Sequence, residues 1–287
     1  IIQFTGGTNP GITDLDDDGL LWRPVPSDAL QGQVLAAVMA NLLGEDAVVN
    51  VIARNDAYGV GLADIFVQEW TAVGGTIGEE VIFNPEAATL DKEAQLATQG
   101  NPDGWLIVTF CGDWAKLKGP LVRTGAWDPN RTLGSDTLRT CVDAEVPLAG
   151  MRGTVGNMES GSSFPAFQEL FESTAPDGLP FQPFSHGFDS VYLAFLAALK
   201  AGSSDPAAIA AEIEGISGPP GEKYTFEQLP EAINAVLAGE DIDFEGASGP
   251  IDFDANGDIS ANVYDVWVTQ ADGSIVTEET IIFTPNQ

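Results

Sequence analysis

Apolar and polar positions change along this chain in short blocks that predict strands separated by helices. The clearest block is residues 47–63, where five apolar residues predict a strand buried on both faces: Val48, Val49, Val51, Ile52 and Ala53. The polar turn at 55–59 interrupts it, and a helix pattern follows. The apolar stripe of that helix is Leu62, Ile65, Phe66 and Trp70. Ligands of parallel α/β sheets bind at the carboxyl ends of strands, which is where this turn lies.

The same alternation continues on both sides of this block. Strands are predicted over 1–4, 77–83, 105–110, 131–134, 151–155, 250–253, 263–268 and 275–283. Helices are predicted over 28–43, 90–97, 112–125, 164–173, 188–201, 206–214 and 231–238. The helix over 188–201 is predicted to place Val191, Phe195, Ala198 and Leu199 on one face. Strands that alternate with helices predict parallel sheets flanked by helices, which is an α/β fold.

Composition narrows the function classes. The chain has 287 residues, enough for one large domain or two lobes, and its 43 acidic and 11 basic residues give a net charge of −32. This charge argues against binding to nucleic acid or to an anionic membrane. No apolar run approaches the roughly 18 residues that a membrane span needs. The acidity fits either a surface adapted to high salt or a strongly acidic secreted protein.

Salt is expected to stabilise this protein if the acidic surface is a salt adaptation. With a net charge of −32, the acidic side chains repel one another. Raising KCl from about 0.1 M to about 1 M shortens the screening length from about 10 Å to about 3 Å and weakens this repulsion. The melting temperature should therefore rise across a KCl series, measured by calorimetry against an uncharged osmolyte as control. A flat melting temperature would count against the adaptation.

Small residues at the amino-terminal end form one candidate site. Thr5-Gly6-Gly7-Thr8-Asn9-Pro10 follows the first predicted strand. Backbone amides of Gly6 and Gly7 and the hydroxyl of Thr8 suit a carboxylate or another anion. An ordinary glycine-rich turn explains the same residues and is favoured by the sequence alone.

Two further residues lie at carboxyl ends of predicted strands. Tyr58 can reach a ligand there, or it can pack only against its own turn. Asp136 follows the strand 131–134 and could pair with a ligand ammonium, although its spacing slightly favours the role of a helix N-cap.

Catalytic and metal motifs find little support. His186 is the only histidine, and the sequence has no nucleophile elbow, P-loop or dinucleotide fingerprint. The acidic run 14–18 has no complete calcium spacing. Asp252 to Asp258 resembles half of an EF-hand loop, but Val263 stands where the closing glutamate belongs, and an Asn256-Gly257 turn accounts for these residues. We predict a protein without catalytic residues, metal or cofactor. A hydrolase that depends on His186 is the rival.

Several stretches together resemble a known family. They are Thr8 to Thr13, Trp22-Arg23-Pro24-Val25-Pro26-Ser27-Asp28, Asn55 to Ala63, Gly134-Ser135-Asp136, Gly187 to Tyr192 and Glu245 to Asp258. In order and spacing they resemble the type I periplasmic binding proteins, specifically the branched-chain amino acid (Leu/Ile/Val) substrate-binding proteins of ABC importers.

The resemblance implies a two-lobed α/β fold with parallel sheets flanked by helices. Residues 1–20 and 150–247 would form lobe 1, and residues 21–149 and 248–287 would form lobe 2. Lobe 1 is expected to be incomplete, because the chain matches only the later part of a family member. Hinge closure would enclose the ligand between the lobes.

The resemblance also implies the site residues. Gly6, Gly7 and Thr8 would bind the α-carboxylate of an amino acid, and Asp136 its α-ammonium. Tyr58 would pack on the ligand, with Phe110 or Cys111 near another such position and with Phe188 and Asp189 at the mouth of a lobe 1 helix. Cys111 and Cys141 would form a disulfide in an oxidising compartment, with free thiols as the alternative.

The implied function is capture of a branched-chain or other aliphatic amino acid for an ABC permease, without chemistry. The protein would be a monomer in the periplasm or outside the cell, with room for a lipid anchor on a segment outside this chain. A sensory ligand-binding module of a receptor or regulator is the alternative.

Overall fold

The computed structural model describes residues 1–141, 148–179, 185–260 and 262–283. Its strands are β1 (Gln3–Phe4), β2 (Leu21–Trp22), β3 (Val48–Arg54), β4 (Thr76–Phe83), β5 (Gly104–Val108), β6 (Thr132–Gly134), β7 (Arg152–Gly156), β8 (Glu222–Tyr224), β9 (Ile242–Phe244), β10 (Asn262–Thr269) and β11 (Ile275–Phe283). Its α-helices are α1 (Asp28–Leu43), α2 (Ala57–Ala72), α3 (Asp91–Ala97), α4 (Cys111–Thr124), α5 (Phe164–Thr174), α6 (Ser185–Ala201), α7 (Pro206–Ser217) and α8 (Leu229–Ala238).

The chain divides into two compact units. Unit 1 contains Ile1–Ser27 and Asn157–Val263, and unit 2 contains Asp28–Gly156 and Tyr264–Phe283. These boundaries differ from the lobes expected from the sequence, which began at 21, 150 and 248. Side-chain packing explains the shift, because Trp22 lies 5.0 Å from Phe253 in an edge-to-face contact within unit 1.

A seven-stranded sheet forms the centre of unit 2. Its strand order is β11-β10-β7-β6-β5-β3-β4, with β4, β3, β5, β6 and β7 parallel and β10 antiparallel to β7. The apolar run of β3 is buried on both faces, as predicted. Val49 and Val51 join a core with α1 and α2, whereas Ile52 joins a second core with α3 and α4. Successive strand residues face opposite sides of the sheet, so both sides need a helical layer.

Unit 1 contains two short parallel pairs of strands, β1 with β2 and β8 with β9. Helices α6, α7 and α8 pack with β9 around one apolar core. The members of this core that are most deeply buried include Leu193, Leu196, Ile213, Ile216, Ala232, Ile242 and Ile251.

The predicted face of α6 is only partly buried, because Leu199 packs against the core of unit 1 and two other residues of that face are exposed. Val191 is 67% exposed and Phe195 is 47% exposed, whereas Leu193, Leu196 and Ala197 are buried. The helix is apolar on more than one side, so periodicity alone could not decide which stripe faces the core.

The strand predicted over 250–253 is also absent from the described structure. Only a single bridge joins Phe253 to Ile259, on either side of a turn in which the Asp254 amide donates to the Asp258 carbonyl at 2.7 Å. The Asn256-Gly257 turn is present, but its flanking residues pack into unit 1 instead of extending a sheet.

In the part of the chain that the structure describes, no helix is long and apolar enough to cross a bilayer.

Candidate functional site

The turn between β3 and α2 brings Tyr58 to the carboxyl edge of the unit 2 sheet. Asp56 caps α2, because its side chain accepts a hydrogen bond from the Gly59 amide at 2.8 Å. Tyr58 therefore lies in the first helical turn. The turn is tight, since a Cβ built on Gly59 would lie 2.1 Å from the carbonyl oxygen of Arg54. This tight turn therefore restrains the backbone position of Tyr58 at the edge of the sheet.

Substitution of Gly59 by alanine is expected to destabilise unit 2. The added Cβ would meet Arg54 backbone atoms at 2.1 to 2.9 Å, so the start of α2 would have to move. Overpacking of this kind costs about 1–3 kcal/mol of unfolding free energy, measurable by denaturant titration. Gly112→Ala is the matched control, because a Cβ at this position in the first turn of α4 has no atom within 4 Å. Equal stability of the two variants would contradict the prediction.

Tyr58 and Asp136 form a hydrogen-bonded pair. The Tyr58 hydroxyl donates to the carboxylate of Asp136, which lies just after β6. The N-cap position of the 3₁₀ turn belongs to Ser135, and the side chain of Asp136 is bonded to Tyr58 instead. Burial raises the pKa of Asp136, while hydrogen bonds from Tyr58, Thr137 and Gln31 oppose this shift. Burial and the Asp136 charge raise the pKa of Tyr58 well above its ordinary value.

Phe110 adds an apolar surface beside this pair. Its ring stacks on the ring of Tyr58, with centroids 5.0 Å apart and planes 18° apart, and 38% of the residue is exposed. The guanidinium of Arg54 lies 4.7 Å from the Phe110 centroid. Arg54 is itself paired with Asp56 and Asp113. These contacts fix Phe110 with part of its surface accessible.

A disulfide joins the two loops of this site. Cys111 begins α4 directly after Phe110, and Cys141 follows the 3₁₀ turn that begins at Asp136. Their Cα atoms are 5.3 Å apart. Because its sulfur is bonded to that of Cys141, Cys111 presents no thiol to a ligand.

The glycine-rich loop lies in unit 1. The Gly7 amide donates to the Thr5 hydroxyl at 3.0 Å, and a Cβ on Gly7 would lie 2.7 Å from Ile12. Within the described ranges no acceptor engages the backbone amides of Gly6 or Thr8. The loop therefore keeps donors that an anion can use.

Phe188 and Asp189 lie in the first turns of α6. Asp189 is fully buried, and its oxygens accept bonds from the Ala247 amide at 2.8 Å, the Ser248 amide at 3.0 Å and the Ser248 hydroxyl at 2.7 Å. Phe188 packs among aromatic rings, 5.0 Å from those of Phe167 and Phe226. These three hydrogen bonds to Asp189 hold the 247–248 loop to α6.

Other candidate groups are occupied or isolated. Asp258, in the segment that resembles a calcium loop, pairs with Arg23 at 2.6 Å. Among the described residues no group of three or more His, Cys, Asp or Glu side chains is placed to hold a metal ion. His186 is buried, and burial lowers its pKa to about 4, so it is uncharged near neutral pH.

The contacts of Arg23, Ser248 and Gln31 were not predictable from the sequence. Gln31 lies in α1 and donates to Thr154 at 3.2 Å, beside its bond to Asp136. In the Trp22–Asp28 and Glu245–Asp258 stretches, only the family resemblance gave a signal, because the bonding partners of these residues are distant in sequence.

Comparison with known proteins places this geometry in a family. A model of the family described as "Receptor family ligand binding region" matches residues 1–272. The chain belongs to this family. The resemblance to type I periplasmic binding proteins inferred from the sequence is thereby confirmed, as is the α/β fold.

Solved structures with a similar fold are distant from this chain in sequence. The leucine-binding protein LivK of Thermotoga maritima is 22% identical with a TM-score of 0.74, and the match covers 99% of this chain and 73% of LivK. The branched-chain amino acid binding protein LivJ of Streptococcus pneumoniae, solved with isoleucine, is 16% identical with a TM-score of 0.71, over 99% and 73% of the two chains. These likenesses show a shared fold.

A curated relative is the chemotactic signal transduction substrate-binding protein BasB of Halobacterium salinarum. It is 23% identical over 247 residues, which are 84% of this chain. The matched region spans 56% of the length of BasB.

Proposed function

We propose that this protein is a solute-binding protein whose ligand is an amino acid with an aliphatic side chain, or a similar small zwitterion. The pair of Tyr58 and Asp136 beside the partly exposed Phe110 carries the proposal. The carboxylate of Asp136, although it also accepts hydrogen bonds from Tyr58, Thr137 and Gln31, carries the negative charge that a ligand ammonium can pair with. Partial burial strengthens that attraction relative to water. The two stacked rings supply an apolar surface for the side chain of the ligand.

The α-carboxylate of the ligand is proposed to bind the Gly6-Gly7-Thr8 loop. The amides of Gly6 and Thr8 are donors without an acceptor in the described part of the chain, and neutral amides can bind an anion without a basic residue. This matters in a protein with only 11 basic residues. The isoleucine bound in the structure of LivJ supports the ligand class.

The role proposed for the ligand-bound protein is delivery of the ligand to an ABC permease. It would act as a monomer in the periplasm or outside the cell and would change no bond in the ligand. LivK and LivJ support this reading through their fold.

A sensory role is the second candidate, favoured by the match to BasB. Both roles need the same ligand site, so binding cannot separate them. Ligand-dependent association with a permease in liposomes would support transport, whereas ligand-dependent association with a transducer would support sensing.

Three related probes test the ligand class: L-leucine, isoamylamine, which lacks the carboxylate, and 4-methylpentanoate, which lacks the ammonium. L-leucine should raise the melting temperature most, because a ligand of the folded state stabilises it. Isoamylamine should bind more weakly than L-leucine. 4-Methylpentanoate should not bind, because it lacks the ammonium that pairs with Asp136. Absence of any shift with L-leucine, L-isoleucine and L-valine would contradict the proposed ligand class. Equal binding of leucine and 4-methylpentanoate would contradict the role of Asp136.

A further inference from the structure

A buried guanidinium lies behind the glycine-rich loop. The side chain of Arg23 is 1% exposed, so it is shielded from any ligand in solvent. Its Nη1 donates to the carbonyl oxygen of Asn9 at 2.8 Å and lies 3.4 Å from that of Thr8. These two residues directly follow Gly6 and Gly7. Arg23 therefore holds the backbone at the end of the loop.

The remaining donors of Arg23 hold two other contacts. Nη2 donates to the Thr13 hydroxyl at 2.7 Å, and Nε donates to Asp258 at 2.7 Å. The Thr13 hydroxyl in turn donates to Asp258 at 2.6 Å. The Arg23 amide donates to the Gly257 carbonyl at 2.7 Å. Arg23, which directly follows strand β2, thus ties the end of the loop, Thr13 and the 254–258 turn together.

Asp258 compensates the charge of Arg23, so the buried cation adds little net attraction for an anion. What Arg23 supplies is geometry. Its rigid planar fork bonds several acceptors at fixed angles, which a lysine ammonium cannot reproduce. In the 254–258 turn, which resembles part of a calcium loop, the carboxylate of Asp258 pairs with this guanidinium.

We propose that Arg23 is the positioning residue of the Gly6-Gly7-Thr8 loop and sets its affinity for the carboxylate of a ligand. This inference rests on the proposed function. By holding the carbonyls of Thr8 and Asn9, Arg23 fixes the two peptide units that directly follow the loop, and this restrains the backbone of Thr8, whose own amide is a proposed donor. It acts through the loop and touches no ligand.

The test compares Arg23→Lys with the wild type in calorimetric titrations of L-leucine and isoamylamine. Leucine affinity should fall about tenfold or more, as expected when hydrogen bonds to a charged group are lost. Isoamylamine affinity should stay unchanged, because this amine lacks the carboxylate. Arg123→Lys is the matched control, since Arg123 forms an exposed ion pair with Asp91 in unit 2.

Amide hydrogen exchange gives a readout independent of ligand. In Arg23→Lys, exchange should accelerate in the peptide 5–13 while α6 to α8 keep their wild-type rates. If Arg23→Lys does not fold, Thr13→Val carries the same test, because it removes only the hydroxyl between Arg23 and Asp258.

The outcomes separate this inference from the proposed function. Equal weakening of leucine and isoamylamine would show a global effect and overturn the inference. If the wild type binds neither probe, the proposed function fails, and amide hydrogen exchange in Arg23→Lys then tests the role of Arg23 by itself. Unchanged exchange in residues 5–13 overturns that role. Acceleration confined to residues 5–13 supports it.

Discussion

Asp136→Asn is expected to lower the affinity for L-leucine by about 100-fold or more, because it removes the charge that pairs with the ligand ammonium. Loss of one partner from a desolvated charge pair costs about 2–5 kcal/mol. Asparagine keeps the size of the side chain and an oxygen that can accept the Tyr58 hydroxyl. Isothermal titration calorimetry measures the change. Affinity within about twofold of the wild type would remove Asp136 from the proposed site.

The ligand-free Asp136→Asn variant should be at least as stable as the wild type. Burial raises the pKa of Asp136 in the folded protein, so the folded state holds its proton to higher pH than the unfolded chain. The ionised carboxylate therefore costs stability near neutral pH, and that cost disappears as the pH falls through the folded pKa. Asp64→Asn, an exposed position on α2, is the matched control. A destabilised Asp136→Asn variant would indicate a structural role instead.

Wild-type affinity for leucine should also fall in acid. The ionised form of Asp136 binds an ammonium, and protonation of the carboxylate removes the attraction. Because the pKa is raised from its ordinary value, this loss should begin at a higher pH than for an ordinary aspartate. Titrations across a pH series measure it, with Asp136→Asn as the reference that should show no such dependence.

Asp189→Ala is expected to destabilise unit 1 by about 3 kcal/mol, since it strands buried donors that each cost about 1–3 kcal/mol. Those donors are the amides of Ala247 and Ser248 and the Ser248 hydroxyl. Burial raises the pKa of Asp189, and the same three hydrogen bonds oppose the shift. Burying the ionised carboxylate thus costs some free energy, and the stability lost in Asp189→Ala comes from the donors that are left without an acceptor. Denaturant unfolding measures it.

A graded series sharpens this prediction. Asp189→Asn keeps one acceptor oxygen and should cost less than Asp189→Ala. Asp177→Asn, exposed in the same unit, should leave the unfolding free energy unchanged. If Asp189→Ala matched that control, the bonds to residues 247 and 248 would not be holding the loop.

Elements of strong local pattern were predictable from the sequence. The strand β3 needed only its apolar run, and α2 needed only its stripe and the polar turn before it. Helix α6 was recognised, but its buried face was not, because Val191 and Phe195 are as apolar as Leu193 and Leu196. The short strands β8 and β9 escaped notice, since three residues carry too little pattern.

The candidate site divides in the same way. Sequence position placed Tyr58 and Asp136 at the same edge of one sheet, because parallel strands bring their carboxyl ends to one edge. That the Tyr58 hydroxyl bonds Asp136, and that Phe110 stacks on Tyr58, depends on side-chain directions that no local pattern encodes.

The sequence by itself determined the α/β class, most element positions and the family, because these follow from periodicity and from motifs read along the chain. Only the tertiary structure decided which residues hold the site in place. Arg23 and Asp258 are 235 positions apart, and Asp189 and Ser248 are 59 apart. Their bonds form only when the folded backbone brings distant segments within about 3 Å, the length of a hydrogen bond, and a linear pattern carries no record of that distance.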